Sequence, residues 1–277
     1  MGTPALKAPR RRDPDPGVFA WAGPVLRHVQ AVMGTMVSFE IRIGDAEAKA
    51  AHVALARACS RLERADAVFS TWKPNSPMSL LRRGEMTLGE APAEMAEVLE
   101  LCKVARELSG GCFDPWAMPG GIDPTGLVKG WAADRALGEL RAAGVRAATV
   151  NAGGDLASFG GPGPGWPWRI GVRDPRAESA LACVVESPGA VATSGCYERG
   201  PHLINPKDGK MRFETASASV VGADLAICDA LATALVVADE EGPELARTLA
   251  DYDAYLIRSD GTEHASTGIM FATESVR

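Results

Sequence analysis

The stretch ASASVVGADLAICDALATALVVA, residues 216–238, limits the possible folds more than any other part of the chain. It begins in the period of a strand and turns into a helix that is apolar on nearly every face, which places that helix in an interior. Inside it stand Asp229 and Thr233, four residues apart and therefore on one face. A buried carboxylate needs a partner. One reading makes Asp229 a local cap and bonds the Thr233 hydroxyl back to its own helix. The other brings a hard cation such as Mg²⁺ to Asp and Thr oxygens, completed by a backbone carbonyl and water. Both stay open on these residues alone.

The remaining pattern surrounds that helix with strands and helices in no regular alternation, which predicts an α+β fold. Residues 25–43 alternate in the strand period and read as one strand feeding a helix over 46–70. A second amphipathic helix spans 91–111 and closes on glycines, and a third runs to about Ala143. Residues 145–161 read as a strand entering a glycine loop, with further strands in 166–175 and 181–195. A hairpin is expected around Asp260-Gly261. No internal repeat of fixed period is present.

A net charge of −6 and an isoelectric point near 5.4 argue against nucleic-acid binding and direct attention to a small-molecule or protein partner. The basic run Arg10–Arg12 lies in a proline-rich start, and residues 1–20 are expected to form a disordered tail ahead of one domain over 21–277. No apolar run of signal-peptide length follows those arginines and no membrane segment is expected. The six cysteines lack Cys-x-x-Cys spacing, which fits reduced thiols and a cytoplasmic location.

FDPWAMPGGIDPTGLVKGWAADRA, residues 113–136, reads as loop, tight turn and helix, with Lys129 near the helix start. The macrodipole disfavours a cation there, so Lys129 either points to solvent or faces an anion drawn to the same helix end. The spacing of Gly121 and Gly126 is not continued as a phosphate loop, because Leu127 and Val128 follow. No dinucleotide-binding glycine pattern follows a strand either. NAGGDL, 151–156, places two glycines and Asp155 at a strand end, where a backbone approaches a ligand or simply turns. His202 precedes an Asn-Pro-Lys-Asp-Gly turn, as a structural histidine or as a general base.

In register, MGT (33–35), STW (70–72), GCFDP (111–115), GLVKGWAAD (126–134), NAGGD (151–155), ATSG (192–195), HLINPKDG (202–209) and DALATAL (229–235) resemble the ApbE family of FAD:protein FMN transferases. The resemblance runs from about Val32 to Val237. It implies mixed sheets with packed helices in a T-fold-like architecture. It also implies an enzyme that cleaves FAD with Mg²⁺, joins FMN to a Ser or Thr of an acceptor protein and releases AMP. Met33, Trp72, Asp114, Asp123, Lys129 and Ile204 would then contact the flavin nucleotide. Asp229, Thr233 and the Gly126 carbonyl would hold the metal, and His202 and Lys129 would serve catalysis. An FAD pyrophosphatase and a non-catalytic FAD-binding protein are the alternative expectations.

Three departures from the family pattern stand out. Pro115 and Lys129 are fourteen positions apart where the family commonly carries a long insertion, which predicts a reduced cofactor wall. SLLR replaces the usual SRLN near residue 80, which puts Arg82 where an Asn is common. Asn205 replaces an acid, a swap that a turn tolerates and a charged role does not.

Overall fold

The computed structural model describes residues 23–44, 47–163, 165–177, 179–195, 203–211 and 214–272. The tail expected at 1–20, Cys196 and His202 lie outside the described residues. In chain order the elements are β1 (Val25–Val32), β2 (Thr35–Arg42), α1 (Ala48–Phe69), α2 (Pro77–Arg82), α3 (Ala93–Leu108) and α4 (Thr125–Ala142). They continue with β3 (Ala147–Ala152), β4 (Asp155–Phe159), β5 (Trp168–Arg173), β6 (Leu181–Ser187), β7 (Ala190–Gly195) and β8 (Thr215–Gly222). The chain then forms α5 (Leu225–Ala238), α6 (Gly242–Thr248), β9 (Asp253–Arg258) and β10 (Glu263–Ala265).

Eight strands make one sheet in the order β1-β2-β3-β4-β7-β8-β9-β10, with β5 and β6 paired apart from it. Among the described residues every strand pairing is antiparallel. The class is α+β, as the irregular order of elements predicts. α5 packs on β7 and β8, and α4 packs against α5, α1 and β3, so the two helices lie between sheet and outer helices. Thirteen of the fourteen residues of α5 are buried, which is what its apolar composition requires.

Two segments read as single strands are hairpins. In residues 25–43 the pair Val32–Thr35 closes a two-residue turn in which Met33 and Gly34 both have positive φ, 54° and 69°. Such turns usually advertise themselves through Asn-Gly, and a methionine in the left-handed region gives no such signal. In residues 145–161, Ala152 and Asp155 flank Gly153 and Gly154, so the glycine loop is a tight turn between β3 and β4. The two strands of 181–195 serve different sheets, β6 with β5 and β7 with β4 and β8. The short α2, capped by the Ser76 side chain accepting from Ser79 N, was not legible in the apolar pattern.

Candidate active site

The tips of the β1–β2 and β3–β4 hairpins meet. Gly153 N donates to the Met36 carbonyl at 3.1 Å, and a Cβ on Gly153 would lie 2.5 Å from Thr35 Oγ1. Beside these tips opens a cavity of about 1020 Å³ that also takes in the start of α4, the middle of α5 and the end of β7. It is lined by Met33, Trp72, Asp114, Asp123, Gly126, Lys129, Ile204, Asp229 and Thr233, which are all the described residues that sequence reasoning assigned to the site.

Lys129 faces anions, not solvent. Its Nζ pairs with Asp155 Oδ2 and lies 3.5 Å from Asp229 Oδ1. Asp155 and Asp229 are only 1% and 4% exposed. Asp155 Oδ1 also accepts from Thr193 N at 2.8 Å, which ties β4 to β7. Burial pulls the Lys129 ammonium down, but the charges of Asp229 and Asp155 outweigh it and hold the ammonium above its ordinary value. Burial pushes the Asp229 carboxyl up to about 7, with Lys129 pulling against it and Asp155 adding to the rise.

The local reading of Asp229 and Thr233 fails on geometry. Asp224 caps α5, accepting from Ile227 N at 3.0 Å, while Asp229 lies further along the helix. Thr233 Oγ1 meets Ser194 Oγ of β7 at 3.0 Å. Asp229 Oδ2 is buried with no hydrogen-bond partner. With both carboxylates ionised, one ammonium leaves this buried cluster one negative charge in excess. That excess, the orphaned Oδ2, two hydroxyls and the neighbouring Gly126 suit a hard divalent cation, whose ligands are oxygens. Among the described residues no three His, Cys, Asp or Glu gather into a metal cluster, so such a site relies on hydroxyl and carbonyl oxygens.

The expected flavin-contact residues divide into two kinds. Met33, Ile204 and Trp72 present apolar surface, and Trp72 is 95% exposed at the cavity mouth. Asp114 and Asp123 have their oxygens engaged by the protein. Asp114 accepts from Trp116 N at 3.0 Å and Arg106 Nε at 2.7 Å. Asp123 accepts from Thr125 N and Oγ1 at 3.0 and 2.6 Å and from Arg82 at 3.1 Å, which fixes the start of α4.

The departures at Arg82 and Asn205 are structural. Arg82 donates to the carbonyls of Gly120 and Pro119 as well as to Asp123, so it clamps the short segment before α4 that forms part of the cavity wall. Asn205 accepts from Lys207 N at 2.9 Å and directs its amide to the Val237 carbonyl of α5 at 3.5 Å, a donation no carboxylate can make. Sequence reasoning gave no site role to Asp155, Ser194 or Arg82. NAGGD and ATSG carried the signal for the first two, but which side chains meet across β4, β7 and α5 is set by sheet order.

The sequence profile of the ApbE family matches residues 33–121 and 117–256. A Rhodobacter capsulatus FAD:protein FMN transferase is 36% identical over 165 residues, which is 56% of this chain and 31% of that protein. A Vibrio cholerae FAD:protein FMN transferase is 30% identical over 131 residues, 43% of this chain and 39% of that protein. The chain thus spans well under half the length of these two relatives. In three dimensions it resembles the flavin transferase ApbE from Vibrio cholerae with a TM-score of 0.75 and 20% identity, over 88% of this chain and 98% of that one. It also resembles the apo form of the Pseudomonas stutzeri flavinyl transferase ApbE, with a TM-score of 0.74 and 22% identity over 90% and 97%.

Proposed function

The chain belongs to the ApbE family, and on that premise we propose that it transfers FMN from FAD to a Ser or Thr hydroxyl of an acceptor protein and releases AMP. The acceptor oxygen forms a bond to the phosphorus of the FMN half, the bond from that phosphorus to the bridging oxygen of the diphosphate breaks, and the hydroxyl proton leaves to a base. By family resemblance that base is His202. The observation that carries the reading is the Lys129–Asp155–Asp229 cluster, in which both carboxylates are buried, Lys129 and Asp229 line the cavity and Asp229 Oδ2 is unpartnered.

Asp229, Thr233 and the Gly126 carbonyl would hold Mg²⁺, which when bound supplies positive charge to the phosphate oxygens. The protein's own residues do the rest. Asp155 holds Lys129 in place, so its ammonium has a fixed position from which to meet a phosphate and stabilise charge on the departing AMP. Trp72 and Met33 offer apolar surface to the planar parts of FAD. The clamp from Arg82 keeps the wall between residues 119 and 123 fixed while the ligand is bound.

Asp229→Asn keeps the shape of the site and removes the charge. It is expected to abolish Mg²⁺-dependent conversion of FAD to AMP, followed chromatographically. Wild-type turnover with unchanged Mg²⁺ dependence would reject the metal assignment.

A further inference from the structure

α5 carries Asp229 and Thr233, and its first turn is enclosed, so its leading N–H groups need acceptors supplied by the protein. Asp224 serves Ile227 N. The two N–H groups before it, Leu225 N and Ala226 N, both donate to one oxygen of a residue from another helix, Asp134 Oδ2, at 2.8 and 3.0 Å. Asp134 stands four residues after Gly130, on the same face of α4. At Gly130 the two helices approach so closely that a Cβ would lie 2.4 Å from the Leu225 carbonyl oxygen. A single turn of α4 therefore holds the Leu225 N–H through Asp134 and packs against its C=O at Gly130.

Lys129 immediately precedes Gly130, and Asp229 lies four residues beyond Leu225. The grip thus fixes the register in which the ammonium of α4 meets the carboxylate of α5 at 3.5 Å. We propose that Asp134 is a positioning residue for the cation site: it locks α5 against α4 through Leu225 and Ala226, and so sets where Asp229 and Thr233 stand relative to Lys129 and Gly126. The proposal rests on the cation site described above. Asp134 touches neither cation nor substrate; it acts through the first turn of α5.

The test is binding of Mn²⁺ alone, titrated by electron paramagnetic resonance on the full chain, with folding followed by thermal melting. Asp134→Ala should lose Mn²⁺ affinity by about tenfold or more, the scale on which residues that orient metal ligands act. Asp134→Asn keeps an oxygen that can accept both N–H groups and should bind within about twofold of wild type, on the order of the scatter between near-isosteric contacts. If Asp134→Ala does not fold, Asp134→Glu carries the test, since its longer side chain shifts the grip and should also weaken Mn²⁺ about tenfold. A folded Asp134→Ala or Asp134→Glu with a lower melting temperature but wild-type Mn²⁺ affinity overturns the positioning role and leaves the cation reading standing. A wild-type protein that does not bind Mn²⁺ overturns both.

Discussion

At the scale of single residues, the proposed chemistry turns on one lysine that pairs with two buried carboxylates. The adverse position of Lys129 near the start of α4 was legible in the sequence, which left solvent and an anion both open, and the structure answers with two anions of the protein itself, Asp155 and Asp229. In the proposed reaction Asp229 would serve the cation while Asp155 holds Lys129 for the diphosphate. Lys129→Ala should weaken FAD at least tenfold and riboflavin by less than about twofold, because a charge-assisted bond to phosphate is lost and the ring contacts are not. Calorimetry with both ligands checks it, and equal losses would remove Lys129 from the diphosphate. His202 was legible only as a residue of a motif and lies outside the described residues. As the base in the proposed reaction, its replacement in His202→Asn should leave FAD binding intact and slow flavin transfer by roughly a hundredfold, the usual scale for a lost general base. Transfer at the wild-type rate from acidic to alkaline pH would exclude it.

At the scale of elements, periodicity found α1 and α3, the helix-forming residues after the Gly and Pro breaks found α4, and an apolar run on nearly every face found α5. Periodicity missed two turns for definite reasons. Met33 occupies a left-handed position without the usual turn residue, and the two glycines at 153–154 join two strands instead of ending one. The junction of α4 and α5 was invisible, since nothing in GLVKGWAAD shows which helix Gly130 will touch. Glycine within a helix normally costs about 1 kcal/mol relative to alanine, so Gly130→Ala would stabilise a free helix. Here the added Cβ would meet Leu225 backbone at 2.4 Å, and forced overpacking costs about 1–3 kcal/mol. Gly130→Ala should therefore lower the melting temperature. Gly138→Ala in the same helix, where a Cβ meets nothing within 4 Å, should raise it. A rise for both variants would show that α4 and α5 do not touch as described.

At the scale of the whole molecule, an eight-stranded antiparallel sheet delivers two hairpin tips, the end of β7 and two helices to one cavity. The α+β class was legible because strand and helix patterns follow no alternation, and the motifs that stand in family order had already named nine of the residues that line the cavity. What the sequence left unread is the strand order that places β7 beside β4, which brings Thr193 to Asp155 and Ser194 to Thr233. Among the described residues no helix is long and apolar enough to cross a membrane. In the proposed reaction this cavity splits FAD at its diphosphate and passes FMN to a hydroxyl. Its most direct test incubates the full chain with FAD and an acceptor domain, with and without Mg²⁺, and reads AMP by chromatography and bound FMN by intact mass. AMP is expected only when Mg²⁺ is present, matched by an acceptor heavier by one FMN less one water, the mass of a phosphoester-linked flavin. FAD recovered intact at every Mg²⁺ concentration would contradict it, and AMP accompanied only by free FMN would show that water, not a protein hydroxyl, takes the phosphate.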